Sequence, residues 1–179
     1  TRSDTEVVLH AYDAYGEACV ERFNGQFAFA IWDEPAGELF LARDRTGIKP
    51  LYWTRDGQRL RFASTLPALL AGGGVDTSVD AVALHHQLTL HGVVPAPRTL
   101  LNGVRKLAPA HSQTWQIDGE MAEQRYWVLN AERPQPDRSE AEWIEATGEM
   151  LVKVVRRQYD TADTPVGVLL SGGLDSSLL

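Results

Sequence analysis

The fold of this chain is decided by FNGQFAFAIWD at residues 23–33 and LFLARDRTGIKPLYW at residues 39–53. Residues 25–33 are nearly unbroken apolar sequence rich in aromatic side chains, which predicts a buried strand. The turn-forming residues 34–37 separate this strand from a second one, predicted at 38–43, because proline and glycine favour turns. These two segments predict the start of an antiparallel sheet.

The predicted sheet continues after a polar loop at residues 44–50. A third strand is predicted at 51–54. The pair Asp56-Gly57 is a hairpin signal, and it leads to a return strand at 59–63. Four consecutive strands with tight turns predict an antiparallel meander.

Helical spacing and capping residues predict the elements around this sheet. Ser3 and Asp4 begin a short amphipathic helix at 4–15, which Gly16 ends. Later in the chain we expect helices at 66–71 and 80–91, the second after a Ser78 cap. A surface connection or an extended crossing follows at 94–107, and then a hairpin of strands at 112–117 and 122–128.

A polar, proline-bearing segment divides the chain. We assign residues 1–132 to a first domain, 133–138 to a linker and 139–179 to the start of a second domain. The capping box SEAE at 139–142 predicts a helix that runs to about Tyr159.

The chain closes with SGGLDSS at residues 171–177, between a β-rich run at 165–170 and an apolar helix start. A strand, a Gly-rich loop and a helix present backbone N–H groups and the positive end of a helix dipole to one spot, which favours an anion. Gly172 and Gly173 allow close approach of the backbone, and the serine hydroxyls add donors without bulk. Phosphate oxygens therefore fit this loop, but the lysine of the common nucleotide-binding loops is absent, which indicates different chemistry on the nucleotide.

Composition excludes several classes of protein. Cys19 is the only cysteine, so a disulfide scaffold is excluded. A net charge of −7 without a basic cluster argues against a nucleic-acid partner. Since no apolar run approaches the roughly 20 residues of a membrane helix, we expect a soluble, cytoplasmic protein. The chain starts at Thr1 rather than Met and stops where a helix opens, so we expect a piece of a longer protein.

Two stretches of the chain resemble parts of one known family. SGGLDSS after VGVLL resembles the pyrophosphate loop of the ATP-pyrophosphatase superfamily, which cleaves ATP between the α and β phosphates. FNGQFAFAIWD followed by LFLARDRTGIKPLYW resembles the second half of the class II glutaminase domain of glutamine-hydrolysing asparagine synthetases. The order of the two domains agrees with that family, and the resemblance covers essentially the whole chain.

The resemblance implies an α+β fold: an antiparallel αββα N-terminal-nucleophile glutaminase half, then the start of a doubly wound α/β domain. It implies an ATP-dependent carbon-nitrogen ligase that uses glutamine as amido donor, with ATP and Mg²⁺ as cofactors. The partners would be small molecules, namely glutamine, ATP and an acceptor carboxylate; neither nucleic acid nor membrane is expected, and a homodimer is left open. Ammonia would pass through an internal tunnel that keeps it from being protonated or lost.

Residue by residue, the resemblance implies two binding sites; no metal ligand is assigned, although Ser171, Gly173, Asp175 and Ser176 are expected to contact the phosphates or lie near the metal. Asp4, beside Ser3, matches the aspartate that holds the α-amino group of glutamine. Arg43, Asp44 and Gly47 fall in the family's RD-x-x-G-x-x-PLY stretch, and we interpret them as a structural polar network and a turn. The ATP site would comprise Leu169, Ser171, Gly172, Gly173, Leu174, Asp175, Ser176 and Ser177.

The chain departs from the family in its catalytic residue. The family's nucleophile is an N-terminal cysteine, and the segment that would carry it, with the arginine and Asn-Gly oxyanion residues, is absent from this sequence. We interpret Cys19 as a buried structural thiol and Thr1 as non-catalytic, so no catalytic residue is assigned.

Three hypotheses follow for the parent protein. The leading one is asparagine synthetase, which converts aspartate, glutamine and ATP to asparagine, glutamate, AMP and pyrophosphate. A related amidotransferase acting on another carboxylate, by dipeptide amidation or β-lactam synthetase-like ring closure, is the second. A non-catalytic remnant binding module is the third. We expect this chain alone to be inactive.

Overall fold

The computed structural model describes residues 3–57, 59–132, 138–162 and 164–178 and divides into two compact units, residues 1–129 and 130–179. The first unit contains helix α1 (Asp4–Tyr15), a 3₁₀ helix (Gly16–Arg22), strands β1 (Ala28–Asp33), β2 (Glu38–Arg43), β3 (Tyr52–Asp56) and β4 (Arg59–Ala63), helices α2 (Leu66–Ala71) and α3 (Ala81–Thr89), and strands β5 (Arg105–Lys106), β6 (His111–Gln116) and β7 (Met121–Arg125). The second contains helices α4 (Glu140–Asp160) and α5 (Leu174–Leu178).

The seven strands form two antiparallel sheets. One has the order β1-β2-β6-β7 and the other the order β4-β3-β5. The predicted four-strand meander is therefore wrong, because β2 and β3 belong to different sheets. The second edge of β2 is paired by β6, with Phe40 opposite Thr114, and the loop after β2 carries the chain to the other sheet.

The prediction of a buried first strand is also wrong for most of β1. Only Ile31 is buried there, and Trp32 is 53% exposed. Among the described strands β1 pairs with β2 alone, so it lies at the edge of its sheet. A long aromatic run is typical of a central strand, but here its side chains are only half covered.

Successive side chains of β2 point to opposite faces of the sheet and belong to two different core clusters, as expected for a strand covered on both faces. Phe40 and Ala42 pack in a cluster with residues of α1 and the 3₁₀ helix. Leu41 points the other way, into a cluster that joins Trp115 of the first sheet to Trp53 of the second. The two sheets therefore face each other, with α1 on the outer face of the first.

Local signals placed most of the remaining elements correctly. The helix predicted at 4–15 is confirmed with Ser3 as its N-cap, and the hairpin of β6 and β7 is confirmed. Helix α3 begins at Ala81, and its cap is Asp80 rather than Ser78, because the Asp80 carboxylate accepts from the N–H groups of Val82 and Ala83.

The second unit consists of helices without a sheet among its described residues. The capping box predicted at Ser139 and Glu142 is confirmed at the start of α4. The strand predicted at 165–170 is wrong: this run lacks a pairing strand in the described part of the chain, and a single strand is not stable alone. The predicted linker falls outside the described residues except for Arg138.

Of the helices described, none has both the length and the apolar character needed to cross a membrane.

Candidate functional site

Asp4 is the first residue of helix α1. The Ser3 hydroxyl caps this helix by accepting from the N–H of Thr5 at 3.3 Å, which leaves the Asp4 carboxylate free of the capping role. Asp4 is exposed, and none of the described residues donates a hydrogen bond to its carboxylate or pairs with it. The first turn of α1 thus presents the Asp4 carboxylate at the surface, where a ligand could contact it.

A cavity of about 380 Å³ adjoins this carboxylate. One wall is the face of α1 that carries Asp4 and Val8, and another is residues 26–31, along β1. Lys49 and Ser64 complete the lining from two loops. Charged groups of both signs and apolar side chains therefore surround a space large enough for a small ligand.

Arg43 supports the loop that lines part of this cavity. Its guanidinium donates to the carbonyl oxygens of Lys49 at 2.8 Å, Leu107 at 2.6 Å and Gly47 at 2.7 Å. Gly47 has φ 68°, and a Cβ there would lie 2.7 Å from Pro109, so this position requires glycine. The predicted structural roles of Arg43, Asp44 and Gly47 are confirmed.

Asp44 is the acceptor at the centre of the same network and is 1% exposed. Burial alone would raise the pKa of its carboxyl group, but hydrogen bonds from Lys49, Ile48 and Thr46 outweigh burial and lower it. Asp44 is therefore an ionised carboxylate inside the protein, held by backbone donors rather than by a salt bridge.

Cys19 is completely buried in the core cluster beneath α1. Burial raises the pKa of its thiol, which keeps it protonated and unreactive. The interpretation of Cys19 as structural is confirmed by this position.

The second candidate site is the loop at 171–177, which precedes and enters α5. Gly172 has φ 79°, in the left-handed region that glycine tolerates. The hydroxyls of Ser171 and Ser176 lie 3.0 Å apart, and the N–H of Ser171 donates to the Ser176 hydroxyl at 3.3 Å. These contacts close the loop upon itself.

The loop hydroxyls are already engaged within the loop. Ser176 and Ser177 each donate to the carbonyl oxygen of Gly173, at 3.1 and 2.8 Å. A phosphate group would therefore have to replace some of these contacts to bind the hydroxyls. Leu169, predicted at the same site, is 94% exposed on the segment that leads into the loop.

The loop supplies a single carboxylate toward a metal ion, that of Asp175. Among the described residues, no group of three or more His, Cys, Asp or Glu side chains could hold a metal by itself. One carboxylate is nevertheless sufficient for Mg²⁺ when phosphate oxygens provide further ligands, so the donor set fits Mg²⁺ bound together with a nucleotide.

Asp4 and the loop lie in different compact units. The sequence interpretation missed Gln26, Lys49 and Ser64 as lining residues of the Asp4 cavity. Lys49 lies two residues after Gly47 in the RD-x-x-G-x-x-PLY stretch. This closeness to the predicted polar network of Arg43 and Asp44 is the signal that could have indicated it.

Comparison with known proteins gives two family matches along the chain. A model described as a glutamine amidotransferase domain matches residues 1–127, and one described as asparagine synthase matches residues 146–179. A solved structure of glutamine phosphoribosylpyrophosphate amidotransferase from Bacillus subtilis, complexed with ADP and GMP, is 19% identical, with a TM-score of 0.46, over 72% of this chain and 24% of that one.

Curated relatives align over nearly the whole chain. Asparagine synthetase [glutamine-hydrolyzing] 3 of Bacillus subtilis is 39% identical over 99% of this chain and 28% of its own length. A putative asparagine synthetase of Methanocaldococcus jannaschii is 36% identical over 99% of this chain and 34% of its own. Amidase chry2 of Gibberella zeae is 35% identical over 98% of this chain and 26% of its own. The chain thus spans about a quarter to a third of the length of these relatives.

Proposed function

We propose that this chain, which belongs to the glutamine amidotransferase domain family, is part of an ATP-dependent, glutamine-hydrolysing asparagine synthetase. The observation that carries the proposal is the succession of two family matches: an amidotransferase domain over residues 1–127 and an asparagine synthase match over 146–179. Each match coincides with one candidate site, since Asp4 lies in the first and the 171–177 loop in the second.

The Asp4 cavity suits the amino-acid end of glutamine. The Asp4 carboxylate would hold the α-ammonium group, as a charge-assisted hydrogen bond between opposite charges is stronger than a neutral one. The apolar stretch along Val8 and Phe27 would contact the methylene groups. This arrangement orients the substrate and leaves the amide free for hydrolysis.

Hydrolysis of the glutamine amide needs a nucleophile that the described residues do not offer. Cys19 is buried within the core, and its thiol is protonated. The proposal therefore assigns substrate binding to this chain and the nucleophilic attack to the N-terminal cysteine that the family resemblance implies for the parent protein. The part described here would be inactive by itself.

The loop at 171–177 would bind the β and γ phosphates of ATP. A carboxylate oxygen of the acceptor would attack the α phosphorus, the bond to the bridging oxygen would break, and pyrophosphate would leave. Ammonia would then attack the activated acyl carbon, AMP would leave with the bonding electrons, and the amide would remain after loss of a proton. Backbone N–H groups of the Gly-rich turn would stabilise the departing pyrophosphate.

Mg²⁺ would sit at Asp175 together with the phosphate oxygens. When bound, the ion would neutralise negative charge on the phosphates. Asp175 is the residue of the loop that would hold it. The contributions of Ser171, Gly173 and Ser176 are to contact the phosphates and to fix the conformation of the loop.

The proposal also assigns a family fold to each of the two units. Two facing antiparallel sheets with α1 on one outer face support an αββα glutaminase half. Helix α4, the segment 165–170 and the 171–177 loop would form the start of a doubly wound α/β domain.

Two kinds of acceptor carboxylate are candidates. Aspartate is favoured by the names of the relatives that are 36–39% identical. A protein named amidase is 35% identical over a similar span, which favours an amidotransferase with another acceptor as the second candidate. The substrates in either case are glutamine, ATP and a carboxylic acid, and a cytoplasmic location is the matching expectation.

The test is an assay of the gene product that contains this chain. We expect it to release glutamate from glutamine and, with ATP, Mg²⁺ and aspartate, to form asparagine, AMP and pyrophosphate. AMP formation with another carboxylic acid but not with aspartate would favour the second candidate. Absence of both glutamate release and acceptor-dependent AMP formation would contradict the enzyme and favour a binding module.

A further inference from the structure

One buried residue outside the Asp4 cavity fixes two segments of the cavity wall. Asp44 does not line the cavity, but Phe27 and Lys49 do. Each of these two residues is held by Asp44 through backbone hydrogen bonds. Because the two segments come from different parts of the chain, their relative position depends on this shared partner.

Phe27 is held by Asp44 at both of its backbone polar groups. Its N–H donates to the Asp44 carboxylate at 3.3 Å, and its carbonyl oxygen accepts from the Asp44 N–H at 2.9 Å. These bonds extend the pairing of β1 and β2 by one residue beyond the Ala28 and Arg43 pair. They set where the chain enters the cavity wall.

Lys49 is fixed in a similar way by two adjacent residues. Its N–H donates to the same Asp44 carboxylate oxygen as Phe27, at 2.9 Å, and its carbonyl oxygen accepts from Arg43 at 2.8 Å. One oxygen atom of Asp44 is thus shared by the two wall segments. Its other oxygen serves the loop itself, through Thr46 and Ile48.

We propose that Asp44 is a positioning residue for glutamine: by holding Phe27 and Lys49 on one carboxylate oxygen, it sets the relative position of two segments of the cavity wall and hence the affinity for this substrate. The inference rests on the proposed function, in which Asp4 binds the α-ammonium group. It assigns to Asp44 an effect on substrate binding in addition to its support of the loop.

Only a carboxylate satisfies all the donors at this position. Asp44 accepts five hydrogen bonds and donates none through its side chain. In Asp44→Asn, one oxygen becomes an NH₂ group that faces N–H donors, so at least one segment must move. A misplacement of about 1 Å in a positioned site can cost about 100-fold in rate, so a measurable loss of kcat/KM for glutamine is expected.

Thr46 provides a matched control inside the same network. Its hydroxyl donates to the Asp44 oxygen that does not contact Phe27 or Lys49, at 3.2 Å. Thr46→Val removes this bond and preserves the oxygen shared by the wall segments. A purely structural role of the network predicts similar kinetic effects for Thr46→Val and Asp44→Asn, whereas a positioning role separates them.

The experiment measures glutamate release from glutamine by the gene product and by its Asp44→Asn, Arg43→Lys and Thr46→Val variants. We expect KM for glutamine to rise about tenfold or more in Asp44→Asn, with a smaller change in kcat, and to change less than about twofold in Thr46→Val. Arg43→Lys, which loses the planar fork that holds the Lys49 carbonyl, should raise KM in the same direction.

The outcomes separate this inference from the proposed function. Glutamate release by the unmodified protein, with KM values of Asp44→Asn and Arg43→Lys equal to that of Thr46→Val, would overturn the positioning role alone. No glutamate release by the unmodified protein would overturn both. If Asp44→Asn does not fold, the comparison of Arg43→Lys with Thr46→Val decides.

Discussion

The phenol hydroxyl of Tyr126 donates a 2.6 Å hydrogen bond to the carbonyl oxygen of Arg43. This bond joins the segment after β7 to the end of β2, although β6 separates these two strands in the sheet. Burial and the nearby Asp44 carboxylate raise the pKa of Tyr126 to about 12. The bond therefore connects the sheet to the same network that supports the Asp4 cavity.

The raised pKa of Tyr126 predicts that the folded protein loses stability at alkaline pH. An unfolded tyrosine ionises near pH 10, whereas Tyr126 stays protonated in the folded protein up to about pH 12. Its contribution is complete below the unfolded value and is lost as the pH rises toward the folded one. The measurement is urea unfolding from about pH 8 to about pH 11.5.

Tyr126→Phe is the variant that isolates this contribution. At neutral pH it should lower the free energy of unfolding by about 1 kcal/mol, because the Arg43 carbonyl loses a donor. Above about pH 10 the difference between the two proteins should shrink. Tyr12, whose pKa is also raised by burial, is present in both proteins, so a constant difference across the pH range would contradict the assignment to Tyr126.

The cluster between the two sheets predicts a large effect of truncation at Leu41. Leu41 is completely buried there beside Trp115, so Leu41→Ala should lower the free energy of unfolding by about 2–5 kcal/mol. Leu88→Ala is the control, since Leu88 on α3 is 77% exposed and its truncation should change stability by less than about 0.5 kcal/mol. Equal losses in chemical denaturation would mean that the sheets do not enclose a core at Leu41.

Local signals were sufficient for elements whose partners lie nearby in the sequence. Ser3 caps α1, and the Asp118-Gly119 turn joins β6 to β7, because capping and turn chemistry act over a few residues. The pairing of β2 with β6 was not predictable in this way, since it depends on tertiary structure. The half-buried β1 and the run at 165–170, which has no strand partner among the described residues, were misjudged for the same reason: a strand pattern does not say which partners are present.

The candidate sites likewise include features that are recognisable in local sequence and features that depend on the tertiary fold. The resemblance pointed to Asp4 and the 171–177 loop as candidates, because each is recognised from a short sequence motif. The remaining wall of the Asp4 cavity was missed, since Lys49 and Ser64 reach it from separate loops. The roles of Arg43 and Asp44 were predictable as structural, but the two wall segments that Asp44 holds became visible only in the fold.

Gly103 occupies a position where we expect any side chain to be destabilising. A Cβ atom at Gly103 would lie 2.6 and 2.7 Å from backbone atoms of Asp76, which cannot move as a side-chain end could. Gly103→Ala should therefore lower the thermal midpoint clearly, by about 4 °C or more, which corresponds to about 1 kcal/mol. Gly25→Ala is the control, as nothing lies within 4 Å of its Cβ position. A thermal midpoint unchanged by both substitutions would contradict the close approach of the two segments.

Helix α4 contains a glycine whose replacement by alanine should stabilise the helix. Gly148 lies inside this helix, and a Cβ there would meet no atom within 4 Å. Gly148→Ala should favour the helix by about 1 kcal/mol, because alanine loses less backbone entropy than glycine and packs without strain. The measurement is helical circular dichroism during thermal unfolding. A decrease in helicity would show that the Gly148 face is covered in the whole protein.

Substitution of Asp175 should separate the two proposed reactions, glutamate release and AMP formation. Asp175→Asn removes the loop's carboxylate and should lower Mg²⁺-dependent AMP formation by about tenfold or more, because the metal and phosphates lose their acidic ligand. Glutamate release should be retained, since Asp4 and its cavity belong to the other compact unit. Asp118→Asn, in the β6–β7 turn, is a matched control and should change neither reaction. Loss of glutamate release together with AMP formation would indicate that Asp175 supports the fold rather than the nucleotide, whereas unchanged AMP formation would remove Asp175 from the proposed ATP site.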